Sequence, residues 1–186
     1  MVKENFYFIR HAETLWNKKK LCQGQRDIPL SQKGHEDAKY LADRLREFPV
    51  DCIITSPLCR ALDTAKEIHS QHPNAEFYIV TELSERSWGA LEGMSSTEMY
   101  NIEKLEERDP HYTVGKKVEK RNEFRNRIHQ GITKAQSYHP HPLIISHGRV
   151  FVEICLILDI PPLRQVPNCR LIEVSQNNNN WHLTFI

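Results

Sequence analysis

Hydrophobic positions along this chain fall into short unbroken runs, separated by stretches in which they recur every three or four residues. Phe6-Tyr7-Phe8-Ile9, Cys52-Ile53-Ile54-Thr55 and Leu143-Ile144-Ile145 are aromatic and β-branched runs without polar alternation. That is the pattern of strands covered on both faces. Glu76 to Val80 is a further strand candidate. Between the runs the period changes. From Ser31 to Phe48, Ala38, Leu41, Ala42 and Leu45 share one helical face, with Ser31 as cap and Pro49 as stop. Ser56 as N-cap with Pro57 at the first helical position predicts the next helix, whose apolar face is Leu58, Ala61, Leu62, Ala65 and Ile68. A polar helix is expected from Ser95 to Arg108. A longer amphipathic helix, from about Glu119 to Tyr138, uses Phe124, Ile128, Ile132 and Ala135. Another follows from Arg149 to about Leu158. Arg170–Ser175 and Trp181–Ile186, joined by a Gln-Asn-rich turn, predict a closing hairpin.

Strands alternating with helices imply an α/β fold: a mostly parallel central sheet flanked by helices in a three-layer sandwich, with right-handed crossovers. At roughly 150 residues per domain, the 186 residues predict one domain over 1–186. The stretch from Gly93 to about Glu119 is charged and weakly periodic. It is expected to be an insertion over the sheet edge, at about 94–118. Ligands of open α/β sheets sit beyond the carboxyl ends of the strands, so an insertion emerging there can act as a lid.

Composition narrows the partners. Lys+Arg 25 against Asp+Glu 24 gives a net charge of +1, which argues against a broad nucleic-acid-binding field. The apolar run Phe6–Ile9 is cut by Arg10 and is too short for a secretory leader. Val150–Ile160 is interrupted by Glu153 and Asp159 and is too short to span a bilayer. No membrane partner is expected, and oligomeric state is left open. The five cysteines, at 22, 52, 59, 155 and 169, are odd in number and show no CxxC spacing. The expectation is reduced thiols in a cytoplasmic protein, with no disulfide framework or zinc knuckle.

Three of the buried runs lead directly into reactive groups. The first ends in Arg10-His11, the second continues to Arg60, and Leu143-Ile144-Ile145 leads to Ser146-His147-Gly148. If these strands are parallel neighbours, two histidines and two arginines converge at one sheet edge. Arg60 stands in the first turn of a helix, where a cation opposes the macrodipole. An anion between Arg60 and the helix N-terminus would explain that position. Two histidines with two arginines suit phosphoryl transfer through a phosphohistidine. A neutral imidazole nitrogen attacks phosphorus while the other nitrogen fixes the tautomer. Arginines bind the equatorial oxygens, and a carboxylic acid protonates the departing oxygen. The arginines supply the positive field, so no metal and no cofactor is expected. No His-Glu-x-x-His or His-x-His site with carboxylate partners appears, and His139-Pro140-His141-Pro142 suits a turn.

The ordered set of motifs resembles the histidine phosphatase superfamily, the phosphoglycerate mutase-like proteins. Arg10-His11-Ala12-Glu13-Thr14 followed by Asn17 is similar to the family's Arg-His-Gly signature. Gln23-Gly24 with Asp27-Ile28-Pro29-Leu30-Ser31 and Gly34, Thr55-Ser56-Pro57-Leu58-Cys59-Arg60-Ala61, Leu83-Ser84-Glu85-Arg86-Ser87-Trp88-Gly89 with Glu92-Gly93, and Ser146-His147-Gly148 resemble its later motifs. Asn168 resembles a late family asparagine. The resemblance implies a phosphoglycerate mutase-like fold and the following roles. His11 is the nucleophile, Arg10, Arg60 and His147 form the phosphate pocket, and Glu85 is the general acid and then base. Asn17 and Gln23 donate to phosphate oxygens, with Gly24 and Gly148 also in the substrate-binding set. Ala12 departs from the usual glycine. Lys117-Val118-Glu119-Lys120 departs from the usual Gly-x-Glu-Ser stretch, and that departure bears on lid contacts.

Phosphatase and mutase share the phosphohistidine and differ in the acceptor. Arg86 directly after Glu85 resembles mutases. The missing double-arginine stretch in the insertion, the short chain and Gln23-Gly24 resemble phosphatases. The expected activity is metal-independent hydrolysis of a small phosphorylated metabolite. A cofactor-dependent phosphoglycerate mutase and an inactive phospho-ligand-binding relative are the alternatives. Lys116, Lys117, Lys120, Arg121, Arg125 and Arg127 are dense in and after the insertion. They form either a solvated basic face or, through one or two of them, a contact to a second phosphate or carboxylate of the substrate.

Overall fold

The buried runs pair into one six-stranded sheet in the computed structural model, which describes every residue except 1, 3, 110, 111, 113, 114, 116, 164 and 179. The strands are β1 (Phe6–Arg10), β2 (Cys52–Thr55), β3 (Glu76–Ile79), β4 (Leu143–Ser146), β5 (Leu171–Asn177) and β6 (Asn180–Phe185), in the spatial order β3-β2-β4-β1-β5-β6. The first four are mutually parallel. β5 runs antiparallel to β1, and β6 antiparallel to β5. The fold is therefore the mixed, mostly parallel α/β sandwich that the patterning implies.

Period-two alternation along the strands divides the core into two faces. Phe8, Ile54 and Ile144 point into a cluster with the apolar sides of α5 (Arg121–Tyr138) and α6 (Gly148–Ile157), among them Phe124, Ile128 and Phe151. The neighbours Ile9, Ile53 and Ile145 point the other way, against α2 (Gln32–Arg44) and α3 (Cys59–Gln71), where Leu41, Ala61 and Ile68 meet them. Strands covered on both sides have no use for polar alternation, which is why their sequences are continuous apolar runs. A smaller cluster of Cys22, Trp88, Leu91, Met99 and Val118 packs beside α4 (Ser96–Arg108). Among the described residues, no helix is long and apolar enough to cross a membrane.

Two boundaries differ from the sequence reading in ways that matter for the site. A one-turn helix, α1 (Leu15–Lys18), follows β1, closed by a reciprocal capping box between Thr14 and Asn17. It is too short to show helical periodicity. The helix expected to start with Ser56 as cap begins at Cys59, with Leu58 in the cap position and no side-chain cap of its own. Asp27, from the loop before α2, supplies the missing acceptor, taking the Cys59 N–H at 2.7 Å. Ser56 Oγ accepts the Leu58 N–H instead, at 3.3 Å.

Candidate active site

The strand order lays the carboxyl ends of β2, β4 and β1 side by side, so residues far apart in sequence emerge at one edge. Arg10 is the last residue of β1. The His11 N–H donates to the Ser146 carbonyl at 2.9 Å, carrying the β1–β4 pairing one residue past the strands. His147 follows β4 directly, and Arg60 sits in the first turn of α3. A cavity of about 790 Å³ opens here, with Arg10, His11, Arg60 and Glu85 on its wall.

His11 is 2% exposed. Its Nδ1 lies 2.7 Å from the Ala12 carbonyl. A carbonyl can only accept, so Nδ1 carries the proton and Nε2 keeps its lone pair. Burial, then the nearby Arg60 and Arg10 guanidinium groups, hold the ring's pKa well below 6.5, against a smaller opposite effect of the Ala12 hydrogen bond. Neutral pH therefore leaves an unprotonated imidazole of fixed tautomer. The fully buried His147 underlies the wall, its ring 5.2 Å from that of His11. Its Nε2 is 2.8 Å from Ser56 Oγ. That hydroxyl also accepts the Leu58 N–H at 3.3 Å, so one serine links the imidazole to the turn before α3. Burial again comes first, then Arg60, in pushing the His147 pKa well below 6.5.

Both arginines are anchored by backbone carbonyls at one end and unpartnered at Nε. Arg10 Nη1 donates to Val166 O at 2.7 Å. Arg60 donates to Arg26 O at 2.8 Å and Gly24 O at 2.7 Å. Burial pulls both pKa values down, yet a guanidinium stays charged. Arg10 Nε, Arg60 Nε and His147 Nδ1 are buried without a partner among the described residues. Each such group is costly unless it is paired. The anion expected between Arg60 and the helix N-terminus meets a competitor there, because Asp27 accepts the Cys59 N–H. The open Nε of Arg60 shares the cavity wall with Arg10.

Glu85 stands on the wall in a loop braced from behind. Its Oε1 accepts the Arg86 N–H at 3.0 Å and its Oε2 the Arg149 N–H at 3.3 Å. Arg127 donates to the carbonyls of Glu82, Ser84 and Glu85, at 2.7, 2.8 and 3.3 Å, and to the Glu119 carboxylate. Arg127 thus fixes the loop that carries Glu85. Arg86, the residue resembling mutases, turns away into a buried two-pronged pair with Glu106, at 2.8 and 2.6 Å.

Asn17, Gln23, Gly24, Gly148 and Asn168 all line the cavity. The Asn17 carbonyl oxygen accepts the Thr14 N–H, and the Gln23 oxygen accepts the Thr14 hydroxyl. Their NH₂ groups remain as donors. Gly24 has φ +52°, and a Cβ there would fall 2.1 Å from Glu92 Oε1, so this position admits only glycine without rearrangement. Its carbonyl is one of the two that hold Arg60. Asn168 donates to the His11 carbonyl at 2.6 Å.

The described members of the basic run do not reach the wall. Lys116 lies outside the described residues. Lys117, Lys120, Arg121, Arg125 and Arg127 are absent from the cavity lining, while Arg121 and Arg125 both pair with Glu153. The cations on the wall that sequence reasoning missed are Lys20 and Arg149, with Tyr100 and Trp88 beside them. Only Arg149 carried a signal, by directly following the Ser146-His147-Gly148 motif. Among the described residues, no three His, Cys, Asp or Glu side chains gather as metal ligands would.

The profile of the histidine phosphatase superfamily (branch 1) matches residues 6–186. The chain is 34% identical to the uncharacterized phosphatase PhoE of Bacillus subtilis (strain 168) over 144 residues, 75% of this chain and 69% of that protein. It is 29% identical to the probable phosphoglycerate mutase GpmB of Escherichia coli O1:K1 / APEC over 192 aligned positions, covering 94% and 86%. The solved structure of a mycobacterial glucosyl-3-phosphoglycerate phosphatase superposes with a TM-score of 0.80 at 20% identity, over 97% of each chain.

Proposed function

We propose, for a chain that belongs to branch 1 of the histidine phosphatase superfamily, that it hydrolyses a small phosphomonoester through a phosphohistidine at His11, without a metal. The observation that carries this reading is the set of buried nitrogens, Arg10 Nε, Arg60 Nε and His147 Nδ1, that have no partner among the described residues, around an imidazole whose Nδ1 is committed to the Ala12 carbonyl. A bound phosphoryl group satisfies all three nitrogens at once. The substrate oxygens accept from Arg10 and Arg60 on the wall and from His147 beneath it. His11 Nε2 attacks phosphorus in line, forming the N–P bond as the P–O bond to the alcohol breaks. Charge on the equatorial oxygens is met by guanidinium groups already in place, so no reorganisation is needed at the moment of reaction. Glu85, in its acid form, gives its proton to the departing alkoxide. As carboxylate it then takes a proton from the water that attacks phosphohistidine, releasing inorganic phosphate and restoring both groups.

Asn17 and Gln23 add neutral donors through their NH₂ groups. Gly24 serves the site chiefly by presenting its carbonyl to Arg60. Residues of about 94–118, including α4, act as the lid that closes the leaving-group side. The one feature resembling mutases, Arg86, is spent on Glu106, which favours water over a second alcohol as acceptor.

The test is hydrolysis of p-nitrophenyl phosphate with excess chelator, wild type against His11→Ala. Turnover that survives the chelator and disappears in the variant, with an acid-labile phosphoryl adduct trapped on the wild type, is expected. Chelator-sensitive turnover, or full activity in His11→Ala, would overturn the mechanism. Turnover of phosphoglycerates only with 2,3-bisphosphoglycerate present would favour the mutase.

A further inference from the structure

The cavity extends well beyond the groups that hold phosphate. Its volume, about 790 Å³, lies in the range of sites that enclose a whole small molecule, roughly 300–1,000 Å³. Among the described wall residues Glu85 is the one carboxylate, whereas Lys20 and Arg149 add cations to Arg10 and Arg60. Beyond the transferred phosphate, the wall is therefore biased toward a second negative group.

Arg149 meets the general acid through its backbone. It is the second residue of α6, and its N–H donates to Glu85 Oε2. The residue thereby lines the wall beside the oxygen that Glu85 protonates, and its side chain reaches on toward α4. The guanidinium is held at one corner only. Nη1 donates to Glu103 of α4 at 2.8 Å, and the group lies over the Tyr100 ring, 5.4 Å from its centroid. The side chain is 14% exposed. Nη2 and Nε take no side-chain or backbone partner among the described residues, which leaves an open edge suited to donating two parallel hydrogen bonds to a carboxylate or phosphate. A cation in the first turn of a helix is opposed by the macrodipole, so ordinary helix preference does not account for it.

Resting on the phosphatase reading above, we infer that Arg149 is a specificity-determining residue, whose open edge, aided by Lys20, binds a second anion carried by the leaving alcohol. The substrate class is then a short-chain phosphomonoester bearing a carboxylate or another phosphate, in preference to esters of uncharged alcohols. The described members of the basic run after α4 have no part in this.

Matched substrates test the inference: 3-hydroxypropyl phosphate, 2-carboxyethyl phosphate, and the bisphosphate of propane-1,3-diol. They keep one chain length and change only the far group. Wild type is expected to prefer an anionic tail over the hydroxyl by roughly 10- to 100-fold in kcat/KM, the size of a charge-assisted contact, and mainly through KM. The carboxylate and bisphosphate arms tell which anion is preferred. Arg149→Met should bring the ratio to within about twofold of unity, and Arg149→Lys, which keeps the charge and loses the fork, should fall between. Inhibition by orthovanadate, which has no leaving group, reports whether the phosphate pocket of each variant is intact. Turnover of all three esters at equal kcat/KM by wild type, or a ratio that survives Arg149→Met with vanadate binding intact, would overturn the inference and leave the phosphatase reading standing. Absence of turnover on any phosphomonoester would overturn the phosphatase reading, and this inference with it.

Discussion

Lowering the pH should destabilise this protein by an amount set by the two site histidines. His11 and His147 are held neutral in the folded state, with pKa values well below 6.5, chiefly by burial. Unfolding returns both to ordinary values. A histidine whose folded pKa is depressed contributes stability above its unfolded pKa, and that stability is lost as the pH falls, because the unfolded chain takes up a proton the folded chain refuses. With an unfolded pKa of 6.5, each histidine costs at most about 1.4 kcal/mol at pH 5.5 relative to pH 7.5. The pair together costs at most about 2.7 kcal/mol, which for a chain of this size bounds the drop in Tm at about 5–10 °C. Burial also raises the Glu103 carboxyl, which works in the opposite sense at lower pH, so the useful window ends near pH 5.5. The assay is urea denaturation at pH 7.5, 6.5 and 5.5 for wild type, His11→Asn, His147→Asn and the double variant. Asparagine does not titrate, so the quantity compared is the change with pH, not the stability at any one pH. Each single variant should lose about half of the pH-dependent part assigned to the pair, and the double variant all of it. A double variant as pH-sensitive as wild type would refute the reasoning.

Three further substitutions probe the scaffold of the site. Gly24→Ala places a Cβ 2.1 Å from Glu92 Oε1 at φ +52°. It should cost about 1–2 kcal/mol by denaturation and lower kcat/KM on p-nitrophenyl phosphate at least about tenfold, because the carbonyl that anchors Arg60 moves with it. Arg127→Met removes the brace on the Glu85 loop, so kcat on the same substrate should fall about tenfold with KM little changed; an unchanged kcat would show that the loop holds itself. Glu106→Ala leaves the Arg86 guanidinium buried without its carboxylate, with 3% of that side chain exposed. Breaking such a pair should cost about 3–5 kcal/mol in urea denaturation, and a loss below about 1 kcal/mol would show that Arg86 finds water instead.

Much of the fold is legible in local pattern because the forces behind it are local. The runs at Phe6, Cys52 and Leu143 are continuous since both sheet faces are covered. The helical faces at Ala38–Leu45 and Phe124–Ala135 repeat at the helical period because one side meets the sheet. Arg10, His11 and His147 also stand out, since they close or directly follow a strand. What local pattern misreads is the start of α3. Ser56-Pro57 has the composition of a helix start, but its acceptor role is filled by Asp27, 32 residues earlier in the chain. Ser56 instead accepts the Leu58 N–H and meets the His147 ring. The basic run after α4 stays undecided in sequence for a similar reason. Charge density alone does not say which cations have partners, and Glu153, Glu119 and three carbonyls of the Glu85 loop claim Arg121, Arg125 and Arg127.

The sequence by itself determined the strands, the helical faces, and the family to which the motifs of His11, Arg60, Glu85 and His147 belong. Each of these is written in residue types and spacings along a continuous segment. Only the tertiary structure decided which donors are left open, that Gly24 serves Arg60 through its carbonyl, and that Arg149 and Lys20, instead of the described members of the basic run, face the cavity. Those outcomes depend on which buried groups already have partners. Partnership in a buried site is a property of distances between segments 30 to 160 residues apart, which no window along the chain contains.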